Sequence, residues 1–320
     1  MGVTGFRVSN VWPKSPYYDD LIAISSKLQL SWVSFFLNER PSILYHYTTP
    51  EGVIGILSSN RLWATDIRYL NDSSELLYAY EITLQELHER GKESESQLIN
   101  TLIEQVQSAL HPSNKENIAY VACFCEKGDL LSQWRAYGNH VGGYAVGFQA
   151  DRMKGSQFPP LFQLKRVIYK PEIQRSLIRD VINEVCDLLE TVTKGETQYD
   201  GSTLINVFGH FLDDHLSELL PVFKSPAFEE ECEWRAVFDF RYKEQIDSIR
   251  FRAAYGNVIP FIDLDIAPFD KTGASKLPII KIIHGPAIYP ELTKKSLSLL
   301  AKRHGFDSIE IEGSSIPLRF

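Results

Sequence analysis

Cysteine is scarce in this chain: four residues, Cys123, Cys125, Cys186 and Cys232, among 320. None has the CxxC spacing of a redox or zinc pair, and Cys123 and Cys125 are too close for an ordinary bridge. They read as reduced thiols of a reducing compartment. Long apolar runs are missing too. The opening MGVTGFRVSN lacks a charged and then apolar signal region, and no apolar stretch reaches membrane-spanning length. A cytoplasmic protein with no membrane partner is expected. No GxSxG, Walker loop or strand-following GxGxxG is present, which argues against the common hydrolase, kinase and Rossmann solutions. Internal repeats and low-complexity segments are absent as well. The formal net charge of -8 gives no footprint for a duplex, while a local basic groove for a nucleotide or a single strand stays open.

What the chain does have is core material, 44% apolar and 12% aromatic, enough for one large domain or two small ones. Residues 1–40 read as an N-terminal helical extension. After Pro13 and Pro16, Asp19 and Asp20 could cap the helix LIAISSKLQLSWVSFFL. Residues 41–320 read as a single α+β domain with a helical insertion at about 172–222. Strands are expected at Ile43–Tyr47, NIAYVACFC, GGYAVGFQ, LKRVIYK, 231–240, 258–264, 279–284 and 307–312. Thr49 and Pro50 start a short helix, and Asp72 with Glu75 forms a capping-box-like start to the next. Further helices are expected near 97–110, 172–193, 203–220 and 291–303. Strands so scattered do not make regular βαβ units, hence α+β.

Three stretches could carry chemistry. YHYTTPEG sets His46 on the strand face opposite Tyr45 and Tyr47, beside a helix N-terminus that favours an anion. His46 is either a core histidine or a ligand contact. In FEEECEWRAVFDF, alternation gives Trp234, Ala236, Phe238 and Phe240 one apolar face and puts Glu231, Glu233 and Arg235 on the other. That pattern fits an exposed strand with a cross-face salt bridge, or paired carboxylates facing an oxocarbenium-like centre. In CFCEKGDLLSQWRAYGNHVGGYAVGF, Trp134, Arg135 and Tyr137 could be loop aromatics that stack a flat ring beside a phosphate-binding arginine, or a packed corner. Weaker candidates are a metal pair or hydrogen-bonded pair at His210 and Asp214, and Cys125 as a nucleophile. Lys294, Lys295, Lys302 and Arg303 read as the wet face of the last helix.

Together the blocks LYHYTTPEGVIGIL, LWATDIRYLNDSSE, CFCEKGDLLSQWRAYG with GGYAVGF, FEEECEWR and IIKIIHGPAIYP…SSIPLRF resemble a bacterial family known as domain-of-unknown-function family 2971. Cys125 stands where a serine is more usual, and Cys232 sits between the glutamates. The order of parts is also similar to the ADP-ribosyltransferase fold, a mixed, mainly antiparallel split sheet with flanking helices. That resemblance combines the first-strand histidine of one branch with the paired glutamates of another. It implies NAD as substrate and an acceptor that is a protein or nucleic acid. NAD glycohydrolase activity and a non-catalytic nucleotide-binding regulatory module are the alternatives. It further implies a toxin or phage-defence effector, with a cognate regulator or antitoxin as partner. Under it, the catalytic residues are Glu233, Glu231 and His46. NAD would be held by His46, Tyr47, Thr48, Arg68, Trp134, Arg135, Tyr137 and Arg319.

Overall fold

The computed structural model describes residues 16–36, 40–70, 74–111, 119–137, 143–154, 162–195, 197–238, 247–254, 256–268 and 276–317. Its helices are α1 (Tyr18–Phe36), α2 (Pro50–Ser59), α3 (Ser74–Glu93), α4 (Gln97–Leu110), α5 (Leu131–Tyr137), α6 (Pro171–Lys194), α7 (Gly201–Leu219) and α8 (Pro290–Arg303). Its strands are β1 (Ile43–Thr48), β2 (Leu62–Asp66), β3 (Tyr120–Cys125), β4 (Tyr144–Gln149), β5 (Gln163–Arg166), β6 (Glu233–Phe238), β7 (Arg250–Ala254), β8 (Asn257–Leu264), β9 (Ile279–His284) and β10 (Glu310–Gly313). All lie in one sheet that is antiparallel except for the β9–β10 pair. The architecture is mixed α and β, with a mostly antiparallel open sheet. Among the described residues no helix is long and apolar enough to cross a membrane.

The sheet is forked. Its stem is β5–β6–β3, and two arms leave the far edge of β3: β1–β4–β9–β10 and β2–β8–β7. Backbone direction shows why. The Glu126 N–H donates to the Cys232 carbonyl and the Ile67 N–H to Ala119, so even-numbered residues of β3 bond β6 and odd-numbered ones face the other edge. On that edge Cys125 meets Tyr45 of β1, and Val121 meets Thr65 of β2. Among the described residues Cys123, between them, has no strand opposite, and a cleft opens there.

Each face of the stem is covered. Trp234, Ala236 and Phe238 of β6 pack in a cluster with Leu44, Val53 and Leu297, while Val237 joins the helical cluster of α1, α3, α4, α6 and α7. Every residue of β6 is therefore buried, which corrects the reading of an exposed strand with a surface salt bridge. The expected start at 231 is also corrected. Glu231 ends a 3-10 turn, Pro226–Glu231, and Cys232 follows in the left-handed region at φ 44°. Glu231 thus precedes the strand and does not share a pleat face with Glu233. Phe240 lies outside the described residues.

Helix α1 buries Leu21, Leu28, Trp32 and Phe36 in the same cluster as α6 and α7. His215 on α7 bonds Ser25 at 3.0 Å, and the Tyr17 hydroxyl donates to Thr197 at 2.9 Å. Thr49 caps α2 by accepting from the Gly52 N–H, with Pro50 in the first turn. The Trp134 corner, read as a loop, is the short helix α5, and β2 and β7 are strands the sequence reading did not single out. Replacing Trp32 by alanine should cost about 3–5 kcal/mol of unfolding free energy in denaturant titrations. A loss under about 1 kcal/mol would show α1 to be peripheral to the core.

Candidate functional site

Two adjoining cavities fill the fork, of about 280 and 520 Å³. His46, Tyr47, Leu70, Cys123 and Tyr137 line both, so these residues form the neck between them. Volumes in this range suit a small-molecule ligand.

His46 occupies the gap where the ladder stops. Its Nδ1 lies 2.8 Å from the Cys123 carbonyl. A carbonyl only accepts, so Nδ1 carries the hydrogen and Nε2 is the acceptor in the neutral ring. Burial, together with Arg252, holds the imidazole below its ordinary pKa against the pull of the Cys123 carbonyl, which keeps it neutral near pH 7. The side chain replaces a missing strand-to-strand hydrogen bond and stands in the cavity wall.

The smaller cavity is walled by an ion cluster. Lys224 Nζ contacts Glu75 at 2.6 Å, Glu231 at 2.6 Å and Glu233 at 3.0 Å. An ammonium has three N–H groups, and here each has its own carboxylate. Arg235 donates to both oxygens of Glu233 at 2.7 and 3.0 Å, to Glu75 at 2.5 Å and to the Pro221 carbonyl at 2.8 Å. Three carboxylates face two cations, so the cluster carries a residual negative charge. Burial opposes the charge on Lys224, yet Glu233 and Glu75 outweigh it and raise its pKa. Burial alone would raise Glu233, but Arg235 and Lys224 pull it down to about 2. Glu231 behaves differently. Its side chain is 24% exposed, it bonds Lys224, and burial raises its pKa. Of the paired glutamates, Glu233 is locked in place, and Glu231 holds the more basic carboxylate at the rim.

The larger cavity has another character. It is bordered by Thr48 and Thr49, the first turn of α2 at Glu51 and Gly52, and by Trp63 and Arg252. Arg252 lies over the Trp63 ring at 5.7 Å and donates to Thr65 at 3.1 Å. A helix N-terminus and a guanidinium on an indole favour an anion and a flat ring.

The other expected residues are distributed as follows. Tyr137, at the end of α5, lines both cavities. Trp134 is 3% exposed, donates to Asp129 at 2.7 Å and packs edge-on against Tyr47 at 4.8 Å, so it belongs to the core. The helical turn that buries Trp134 turns Arg135 to the surface. The Tyr47 hydroxyl donates to the Lys127 carbonyl and accepts from the Leu130 N–H. Thr48 borders the larger cavity. Arg68 is paired with Asp66 at 2.6 Å and lines neither cavity. Arg319 and Asp72 lie outside the described residues. Glu75, expected to close a capping box, turns its carboxylate to Lys224 and Arg235 instead. His210 and Asp214 sit on α7 and line neither cavity. Cys125 is buried with its thiol pushed up to about 12, far from thiolate character at pH 7. All four cysteines are free.

Sequence reasoning gave Glu75 only a capping role and missed Lys224 and Gln133, which line the smaller cavity, and Arg252, which lines the larger. None has a local signal for this role: an acid in the first turn of α3 reads as an ordinary helix-start residue.

Among known proteins, the model of a family described as protein of unknown function (DUF2971) matches residues 133–236. That stretch runs from α5 through β6 and includes Gln133, Tyr137, Lys224, Glu231, Glu233 and Arg235. No curated protein and no solved structure matches the chain.

Replacing Lys224 by methionine leaves the buried Glu75 and Glu233 and the rim carboxylate of Glu231 without their shared cation and should cost about 3–5 kcal/mol, whereas Glu231→Gln should cost under about 1 kcal/mol. Equal costs in denaturant titrations would contradict this layout. The pH dependence has a definite sign. The folded-state pKa of Glu233 lies below its unfolded value of 4.5, so its stabilisation is fully present above pH 4.5 and fades as pH falls through about 2. The stability difference between the unaltered protein and Glu233→Gln should therefore be flat above pH 4.5 and shrink between pH 4.5 and about 2. A difference that does not shrink in acid would rule out the ionised Glu233.

Proposed function

We propose that the forked cleft binds NAD and that the protein transfers ADP-ribose from it to a protein or nucleic-acid acceptor. The observation that carries this reading is the pairing of two adjoining cavities of opposite character across the neck at His46 and Tyr137. A dinucleotide is bipartite in the same sense. The ADP half would lie in the larger cavity, with phosphate toward the first turn of α2 and Arg252, and the adenine near Trp63. The nicotinamide ribose would enter the smaller cavity, where the residual negative charge of the cluster favours an oxocarbenium-like centre. His46 Nε2 would accept from a ribose hydroxyl, and Tyr137 would flank the nicotinamide ring. The ADP-ribosyltransferase-like fold assignment is part of this proposal, supported by the forked antiparallel sheet.

In the reaction, the bond between the ribose carbon and the nicotinamide nitrogen breaks, and nicotinamide leaves with the electron pair. The acceptor nucleophile forms the new bond to that carbon and loses its proton to Glu231, whose raised pKa suits a base. With water as acceptor the same steps give NAD hydrolysis. Glu233, saturated by Arg235 and Lys224, would act from behind as fixed negative charge. That saturation also favours a second reading, a nucleotide-binding regulatory module without catalysis.

Incubation with NAD separates the readings. Nicotinamide release should fall by about 10²–10⁴-fold in Glu231→Gln, with binding measured by calorimetry retained. Transfer of label from NAD to a macromolecule identifies the transferase, and release without transfer identifies the hydrolase. Binding without release supports the module, and absence of binding refutes the dinucleotide.

A further inference from the structure

The cleft chemistry leaves one cluster unused, the carboxylate of Asp129. Trp134 Nε1 and the Ser314 hydroxyl donate to Oδ1 at 2.7 and 2.5 Å. The Ser315 backbone N–H and hydroxyl both donate to Oδ2 at 2.8 Å. Two segments more than 180 residues apart thus meet on one side chain. Burial pushes the Asp129 pKa up, but Ser314, Trp134 and Ser315 together lower it, so the carboxylate is ionised and bonded at neutral pH.

Both partners of this contact are anchored. The Ser314 N–H donates to the His284 carbonyl at 2.8 Å, extending the β9–β10 ladder by one step. Ile316 packs against the small cluster of Tyr47, Trp134 and Ile283. On the other side, the loop before α5 lies directly on β1. A Cβ at Gly128 would stand 2.5 Å from the Tyr45 ring, so only glycine allows that approach. Helix α5 has seven residues, too few to hold itself by backbone hydrogen bonds alone. Its far end carries Tyr137, at the neck of the cleft.

We propose that Asp129 is a positioning residue: by clasping the tail segment Ser314–Ile316 it fixes α5, and through α5 it sets Tyr137 between the two cavities. The consequence for ligand rests on the dinucleotide reading; the clasp stands on the contacts above.

Hydrogen–deuterium exchange on the full-length protein without ligand tests it, with the core of α6 as internal reference. In Asp129→Ala and in the double variant Ser314→Ala/Ser315→Ala, exchange across residues 131–137 should accelerate about tenfold, as expected for losing a hydrogen bond to a charged group. The α6 amides should be unchanged. Asp129→Asn, which keeps a carbonyl acceptor, should fall between. Affinity for NAD should weaken in the same order. Unchanged α5 exchange, or a rise that α6 shares, overturns the clasp. Loosened α5 with unaltered NAD affinity overturns its role in setting Tyr137. Failure of the unaltered protein to bind NAD removes the dinucleotide reading, and the exchange data still decide the clasp.

Discussion

The buried ammonium of Lys224 is the interaction on which the rest depends. It gathers carboxylates from α3, from the 3-10 turn and from β6, so that one cation ties three elements together. Moving one cation from water into this wall is costly, and only the full complement of partners offsets it. The same demand fixes geometry. With Arg235 gripping both oxygens of Glu233 and reaching Glu75, the helical layer and the sheet stem can sit in one relation only. A chain that satisfied the apolar pattern but slipped α3 by one turn would strand these charges.

Above that cluster the sheet divides, and the division has a backbone cause. Cys123 offers its N–H and C=O to an edge that β1 and β2 occupy only at the ends. A gap in a ladder normally leaves polar groups unsatisfied. Here an imidazole takes the carbonyl, which permits the arms to diverge and a cavity to open in the middle of a sheet.

Much of this was legible in residue order. The strand expected at 279–284 is β9, the capping Thr49-Pro50 marked α2, and an amphipathic pattern marked α4. His46, Tyr137, Glu231 and Glu233 were singled out, and they do line one cleft. What escaped was non-local or subtle. The fork is a property of strand pairing, which no window of sequence contains. Glu231 and Glu233 looked like strand neighbours because i,i+2 spacing assumes an unbroken pleat, and the left-handed backbone at Cys232 breaks it. Trp134 looked like a stacking platform because a seven-residue helix is too short to declare its period. Glu75 and Lys224 are separated by more than a hundred residues, and a buried pair leaves no signature until the fold brings it together.

The bond between His46 and Cys123 has one further property. Nδ1 donates in the neutral ring and also in the imidazolium, so taking up a proton leaves that contact, and with it the spread of the two arms, intact. What changes is Nε2, which turns from acceptor to donor. The cleft would keep its outline in acid while reversing what it asks of a guest at that point: shape and selectivity answer to different atoms of one ring.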